Sequence, residues 1–94
     1  MDFQKKYPNL VALFVGYFSE ADLDNLTDEE VVSNYINDCN PMELTITVNE
    51  LDYLLTEVSD WQSAIMEANR FFLSEDEIRE WLEFVKSELS RQRN

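Results

Sequence analysis

Gly16 is the only glycine in the 94-residue chain, and Pro8 and Pro41 are its only prolines. Sheets of short strands need a tight turn every few residues, and such turns draw heavily on Gly, Pro and Asn-Gly pairs. A chain this poor in turn residues is steered toward helices, provided the sequence also says where helices start. It does so several times. In Asn40-Pro41-Met42-Glu43, Asn40 suits the N-cap, Pro41 the first turn, and Glu43 closes a capping box. Leu44, Val48, Leu51, Leu55 and Val58 follow at spacings of 4, 3, 4 and 3, one face of a helix running to about Glu57. The β-branched run Thr45 to Val48 favours a strand, but the longer 3–4 period outweighs it.

The same reading finds four more helices. One opens at Pro8 and is apolar nearly all round, through Leu10, Val11, Leu13, Phe14, Val15, Tyr17 and Phe18. Gly16 within it would let a neighbouring backbone approach closely. Ser19 to Leu26 is a polar, acidic connector. Thr27 with Glu30 caps the next helix, whose stripe is Val31, Val32, Tyr35 and Ile36, and whose acidic first turn suits the helix dipole. Ser59 with Gln62 opens a fourth, with Trp61, Ile65, Ala68 and Phe72 inward. Ser74 with Glu77 opens the last, with Ile78, Trp81, Leu82, Val85 and Leu89 inward. Six Phe, four Tyr and two Trp, in a chain 45% hydrophobic, are enough to fill a core. The expected fold is all-α: residues 1–94 as a single compact bundle of about five helices.

The net charge of −13 is unevenly placed. No Lys or Arg occurs from Tyr7 to Asn69, a stretch with thirteen Asp and Glu, and the remaining acids and bases cancel. Such a surface repels nucleic acid and anionic membranes and attracts a basic partner. It also opposes self-association, so a monomer is expected when free. The apolar run Leu10 to Phe18 is too short to span a membrane, and no signal-peptide cleavage pattern follows it, so the expected location is the cytoplasm.

Chemistry is sparse. Without His a Cys–His dyad is impossible, and with Cys39 alone the usual Cys- and His-built zinc sites lack their ligands. Glu20, Asp22, Asp24 and Asp28 alternate like calcium-loop ligands. The loop needs Gly at its sixth position and Glu at its twelfth. Counted from Asp22 those positions are Thr27 and Ser33, and counted from Glu20 they are Asn25 and Val31. Both registers fail, so no metal, no cofactor and no catalytic activity is expected. What remains is a surface. Glu43, Glu50 and Glu57 are spaced by seven and project nearly together, away from the centre of the Leu44–Leu55 stripe, with Ile46 and Tyr53 beside them. An acidic row bordered by apolar side chains suits protein binding. With the connector acids this gives a candidate set: Glu20, Asp22, Asp24, Asp28, Glu43, Glu50, Tyr53 and Glu57.

Several motifs, in order along nearly the whole chain, resemble a known family. They are Tyr7-Pro8-Asn9-Leu10, Leu13-Phe14, Gly16-Tyr17-Phe18, Asp28-Glu29-Glu30-Val31, Glu50-Leu51-Asp52-Tyr53-Leu54-Leu55 and Trp81-Leu82-Glu83-Phe84-Val85. The sequence is similar to immunity proteins of bacterial contact-dependent growth inhibition systems. One departure is visible. Members often carry His-Gln-Asp after the Tyr-Phe pair, whereas Ser19-Glu20-Ala21-Asp22 stands here, so no role of that His carries over. The resemblance implies a cytosolic inhibitor, not an enzyme, that binds the C-terminal domain of one cognate toxin. Many such toxins are nucleases with basic grooves, and the acidic stretch suits such a groove. The alternative is an acidic nucleic-acid mimic or adaptor acting on another basic partner.

Overall fold

Asn40 shows how local chemistry sets the helix boundaries. Its side chain accepts a hydrogen bond from the Glu43 amide at 2.8 Å, and the Glu43 carboxylate accepts one from the Asn40 amide at 3.2 Å. The helix α4, Pro41–Thr56, therefore opens on a complete capping box. Thr27 and Glu30 make the same reciprocal pair at the start of α3, Asp28–Asp38. Each cap contributes roughly 1 kcal/mol by satisfying amides that have no partner within the helix.

The computed structural model describes residues 3–21 and 25–92, most of them helical and none in a strand. Besides α3 and α4, the helices are α1 (Phe3–Lys6), α2 (Pro8–Leu13), α5 (Trp61–Glu67) and α6 (Glu75–Gln92). The chain continues from α2 into a π-helical segment, Phe14–Phe18, and a 3-10 turn, Val58–Asp60, precedes α5. The short α1 was not anticipated, because four residues show no periodicity. It stops at Tyr7, which sits at φ −133° and ψ 58°; a residue before proline is sterically kept from the helical region.

The core draws on every helix. Leu10, Leu13, Phe14 and Phe18 of the first long segment pack with Val31, Val32 and Tyr35 of α3, Leu44, Val48, Leu51 and Leu54 of α4, and Trp61, Ala64 and Ile65 of α5. From α6 come the expected Ile78, Trp81, Leu82, Val85 and Leu89, all buried. Helix α6 lies against α3 and α4, and α2 lies across α4. The π-helical segment is closed by the Ser19 amide donating to the Phe14 carbonyl at 2.8 Å. It holds Phe14 and Phe18 on one face, with ring centroids 6.1 Å apart, and Trp81 lies 5.7 Å from the first and 5.1 Å from the second.

Four local expectations need correction. The α4 stripe turns toward Leu54, which is fully buried, while Leu55 is half-buried and Val58 is 42% exposed. Helix α4 ends at Thr56, and nothing continues its face to Val58. Ser59 does not cap the fourth helix; it lies inside the 3-10 turn, and α5 follows without a side-chain cap. Phe72 lies beyond α5, not on it. Residues 65–70 end that helix in a Schellman turn, with Asn69 left-handed at φ 57°, its amide on the Met66 carbonyl, and the Arg70 amide on the Ile65 carbonyl. Gly16 is exposed, and a Cβ added there would meet nothing within 4 Å, so no close backbone approach depends on it.

Candidate partner-binding surface

The acidic row of α4 does not act as one unit. Glu50 turns to α2, where its Oε1 accepts from the backbone amides of Asn9 and Leu10, both at 3.0 Å, and its Oε2 accepts from Asn9 Nδ2 at 2.7 Å. Tyr7 offers the start of α2 no side-chain cap, so a carboxylate from another helix supplies it. Glu43 is exposed but occupied in its own capping box. Tyr53 is 51% exposed, with its ring 5.9 Å from Tyr7 and 5.6 Å from Lys6 Nζ. Glu57, half-buried at the end of α4, lies near the same lysine.

That end of α4 holds a compact polar knot. The Tyr7 side chain is fully buried, and its hydroxyl donates to Asp60 Oδ2 at 2.7 Å while Lys6 Nζ donates to the same oxygen at 2.6 Å. The two donors hold the Asp60 carboxyl below its ordinary pKa. Lys6 is raised, first by its hydrogen bond to Asp60, and Tyr7 is raised, first by burial. A carboxylate with a depressed folded pKa contributes stability that is complete above its unfolded value of about 3.9 and fades as pH falls through the folded value. The raised Lys6 and Tyr7 act at the other end, contributing below about pH 10 and losing that contribution as pH rises through their folded values. Asp60→Asn is therefore expected to melt below the parent by a constant margin from pH 7 to about pH 5, and the margin should close below about pH 4. Thermal melts of both proteins across that range check this; a margin that does not narrow as pH falls below about 4 would remove the ionised Asp60 from the account.

The connector acids divide. Glu20 is exposed. Asp22 and Asp24 lie outside the described residues. Asp28 is tied inward, its Oδ1 accepting from Arg70 NH2 at 2.9 Å and its Oδ2 from Trp81 Nε1 at 3.0 Å. Arg70 NH1 also donates to the Phe18 and Ala68 carbonyls, each at 3.4 Å, and the guanidinium lies 5.5 Å from the Phe18 ring. The first base after the long acidic stretch thus joins the start of α3 to the loop after α5. Of the described candidates, Asp28 is held by Arg70 and Trp81, whereas Glu50, Tyr53 and Glu57 gather around the α1–α2 junction.

Among the described residues, no group of three or more His, Cys, Asp or Glu is placed to hold a metal ion. A shallow groove between α3 and the end of α6 is lined by Leu26, Glu29, Ser33, Asn34, Arg91 and Gln92. Its polar groups are engaged with each other: Ser33 Oγ donates to Gln92, and Gln92 Nε2 donates to Glu88 at 2.7 Å. Burial raises the pKa of the half-buried Cys39 thiol, which lowers its thiolate fraction. Tyr17 is pushed up to about 12 by the hydrogen bond it donates to Asp38. No helix among the described residues is long and apolar enough to cross a membrane.

What the described surface offers is carboxylates and a few exposed apolar side chains, the equipment of a protein that binds another protein. A model of the CdiI immunity protein family matches residues 6–89. The chain belongs to that family. No curated protein sequence and no solved structure matches it. As a CdiI-family member it is an immunity protein of a contact-dependent growth inhibition system, and its role is to neutralise a cognate toxin protein.

One set of exposed groups on this CdiI-family chain escaped the sequence reading. Met66 is 74%, Phe71 83% and Leu73 84% exposed, around the loop between α5 and α6. Assigning Phe72 to a helix face hid the loop. The usable signal was Phe71-Phe72-Leu73, three apolar residues directly before the Ser74 cap that no 3–4 stripe can hold together.

Proposed function

We propose that this immunity protein neutralises its toxin by stoichiometric binding, without catalysis, and that its acidic stretch faces a basic surface of the toxin, such as the substrate groove of a nuclease. The observation that carries this reading is the absence of Lys and Arg from Tyr7 to Asn69, which leaves the charge of that stretch uniformly negative. Among the described residues, moreover, Lys6, Arg70, Lys86 and Arg91 are engaged in internal ion pairs, with Asp60, Asp28, Asp52 and Glu88 respectively. Glu20, Asp22, Asp24, Glu43 and Glu57 are the acids we assign to the contact, with Tyr53 as a less polar neighbour. Asp28 and Glu50 support that surface from within.

Paired charges of opposite sign steer encounter and raise association rates, by amounts that fall as salt screens them beyond about 8 Å. Converting Asp22 and Asp24 together to lysine is expected to slow association with the toxin domain encoded by the adjoining gene about tenfold at low salt. The difference should shrink as salt rises. Stopped-flow association at several ionic strengths, with a cell-protection assay alongside, measures this. An unchanged rate that ignores salt would reduce these acids to solubilising decoration.

A further inference from the structure

Residues 70–73 alternate strictly between inside and outside. Arg70 turns in, bonded to Asp28 and to the Phe18 and Ala68 carbonyls. Phe71 turns out at 83% exposure. Phe72 turns in and sets its ring 5.8 Å from Trp81. Leu73 turns out at 84%. Both ends of the loop are fixed, by the Schellman turn at Asn69 and by the Ser74 hydroxyl accepting from the Glu77 amide at 3.3 Å. The Glu77 carboxylate also accepts from the Leu73 amide at 3.1 Å.

The exposure of Leu73 runs against its position. A residue just before an N-cap ordinarily staples onto the fourth residue of the helix. Here that residue is Ile78, 1% exposed, and Leu73 stays away from it. Two large apolar side chains are thus held out in water by a backbone whose ordering is already complete. Binding through them would cost little further conformational entropy, and such preorganised anchors dominate protein interfaces.

We propose that Phe71 and Leu73, together with the exposed Met66 of α5, are the central anchor of the toxin interface, filling an apolar pocket of the cognate toxin whose rim carries Lys or Arg. Charge complementarity argues for that rim. Glu67 precedes the loop and Glu75, Asp76 and Glu77 follow it, while the nearest base in sequence, Arg70, is bound to Asp28. The same Arg70–Asp28 pair joins this loop to the start of α3, whose first turn carries Asp28, Glu29 and Glu30. The assignment rests on the toxin-binding reading above and names the part of the surface that holds the complex together once charge has brought the partners in contact.

The test is a binding titration of the full-length protein against the purified toxin domain encoded by the adjoining gene, with parent, F71A/L73S and E75K/D76K. The first variant is expected to weaken binding about 30-fold, mainly through faster dissociation, with an unchanged melting temperature because both side chains lie outside the core. The second should chiefly slow association. F71A alone and L73S alone, each expected to fall between parent and double variant, keep the test decisive if the double variant folds poorly. A parent that binds no toxin would overturn the functional reading and this assignment together. A parent that binds tightly while F71A/L73S stays within threefold of it would overturn this assignment alone. So would sedimentation showing the free parent to be a dimer that F71A/L73S dissolves without loss of toxin affinity, since a second copy would then be the occupant.

Discussion

Trp81→Ala is expected to destabilise the protein by about 3–5 kcal/mol, the usual range for emptying a buried aromatic site. Trp81 is 7% exposed and lies against Phe14, Phe18 and Phe72, so truncation opens a hole between the π-helical segment, the α5–α6 loop and α6. Rigid aromatic walls collapse poorly into such a hole. The indole also donates to Asp28, whose carboxylate would keep only its contact with Arg70. For a domain of this size each kcal/mol moves the melting temperature by about 4–8 °C, so a fall of roughly 12–40 °C should be seen by calorimetry or circular dichroism. Trp81→Phe separates the two contributions: it keeps most of the packing and loses only the donor, and about 1–2 kcal/mol is expected. If Trp81→Ala melts within a few degrees of the parent, the aromatic cluster does not carry the core.

The second large effect concerns Glu50. Glu50→Ala removes the acceptor of two backbone amides and one side-chain amide at the start of α2, and a cost of about 2–3 kcal/mol is expected. Glu50→Gln should cost less than half as much, because an amide oxygen can still receive both backbone N–H groups. Urea unfolding of the three proteins gives the comparison. The consequence reaches the binding question: a Glu50 variant that fails to protect cells has lost helix stability first, and its failure locates no epitope. Equal stability of parent and Glu50→Ala would return Glu50 to the solvent-facing row.

The Glu50 case shows where a heptad pattern stops being informative. Glu43 and Glu50 share one side of α4, with Glu57 just past its end, and the shared side follows from the 3.6-residue period. What lies over that side depends on α2 crossing α4, a contact between residues about forty apart. A sequence period describes a helix in isolation. Asp28 repeats the lesson: an acid in a first helical turn looks like dipole chemistry, and its partners Arg70 and Trp81 come from far along the chain. The loop carrying Phe71 and Leu73 was hidden for a related reason, since Trp61, Ile65, Ala68 and Phe72 fit a helical stripe and only a left-handed Asn69 ends it.

By itself, the sequence determined the all-helical class, the starts of α2, α3 and α4 and the inward face of α6. These depend on local terms: side chains capping amides three residues away, proline at a first turn, and apolar residues returning every three or four positions. It also determined the charge of the surface, which is a matter of composition and order. Tertiary structure alone decided which acids are free. Each helix has amides or charges that its own segment cannot satisfy, and the nearest acceptor in space takes them up regardless of its distance along the chain. So Glu50 serves α2, Asp60 serves Lys6 and Tyr7, and Asp28 serves Arg70 and Trp81, while Glu20, Tyr53, Phe71 and Leu73 are left facing solvent.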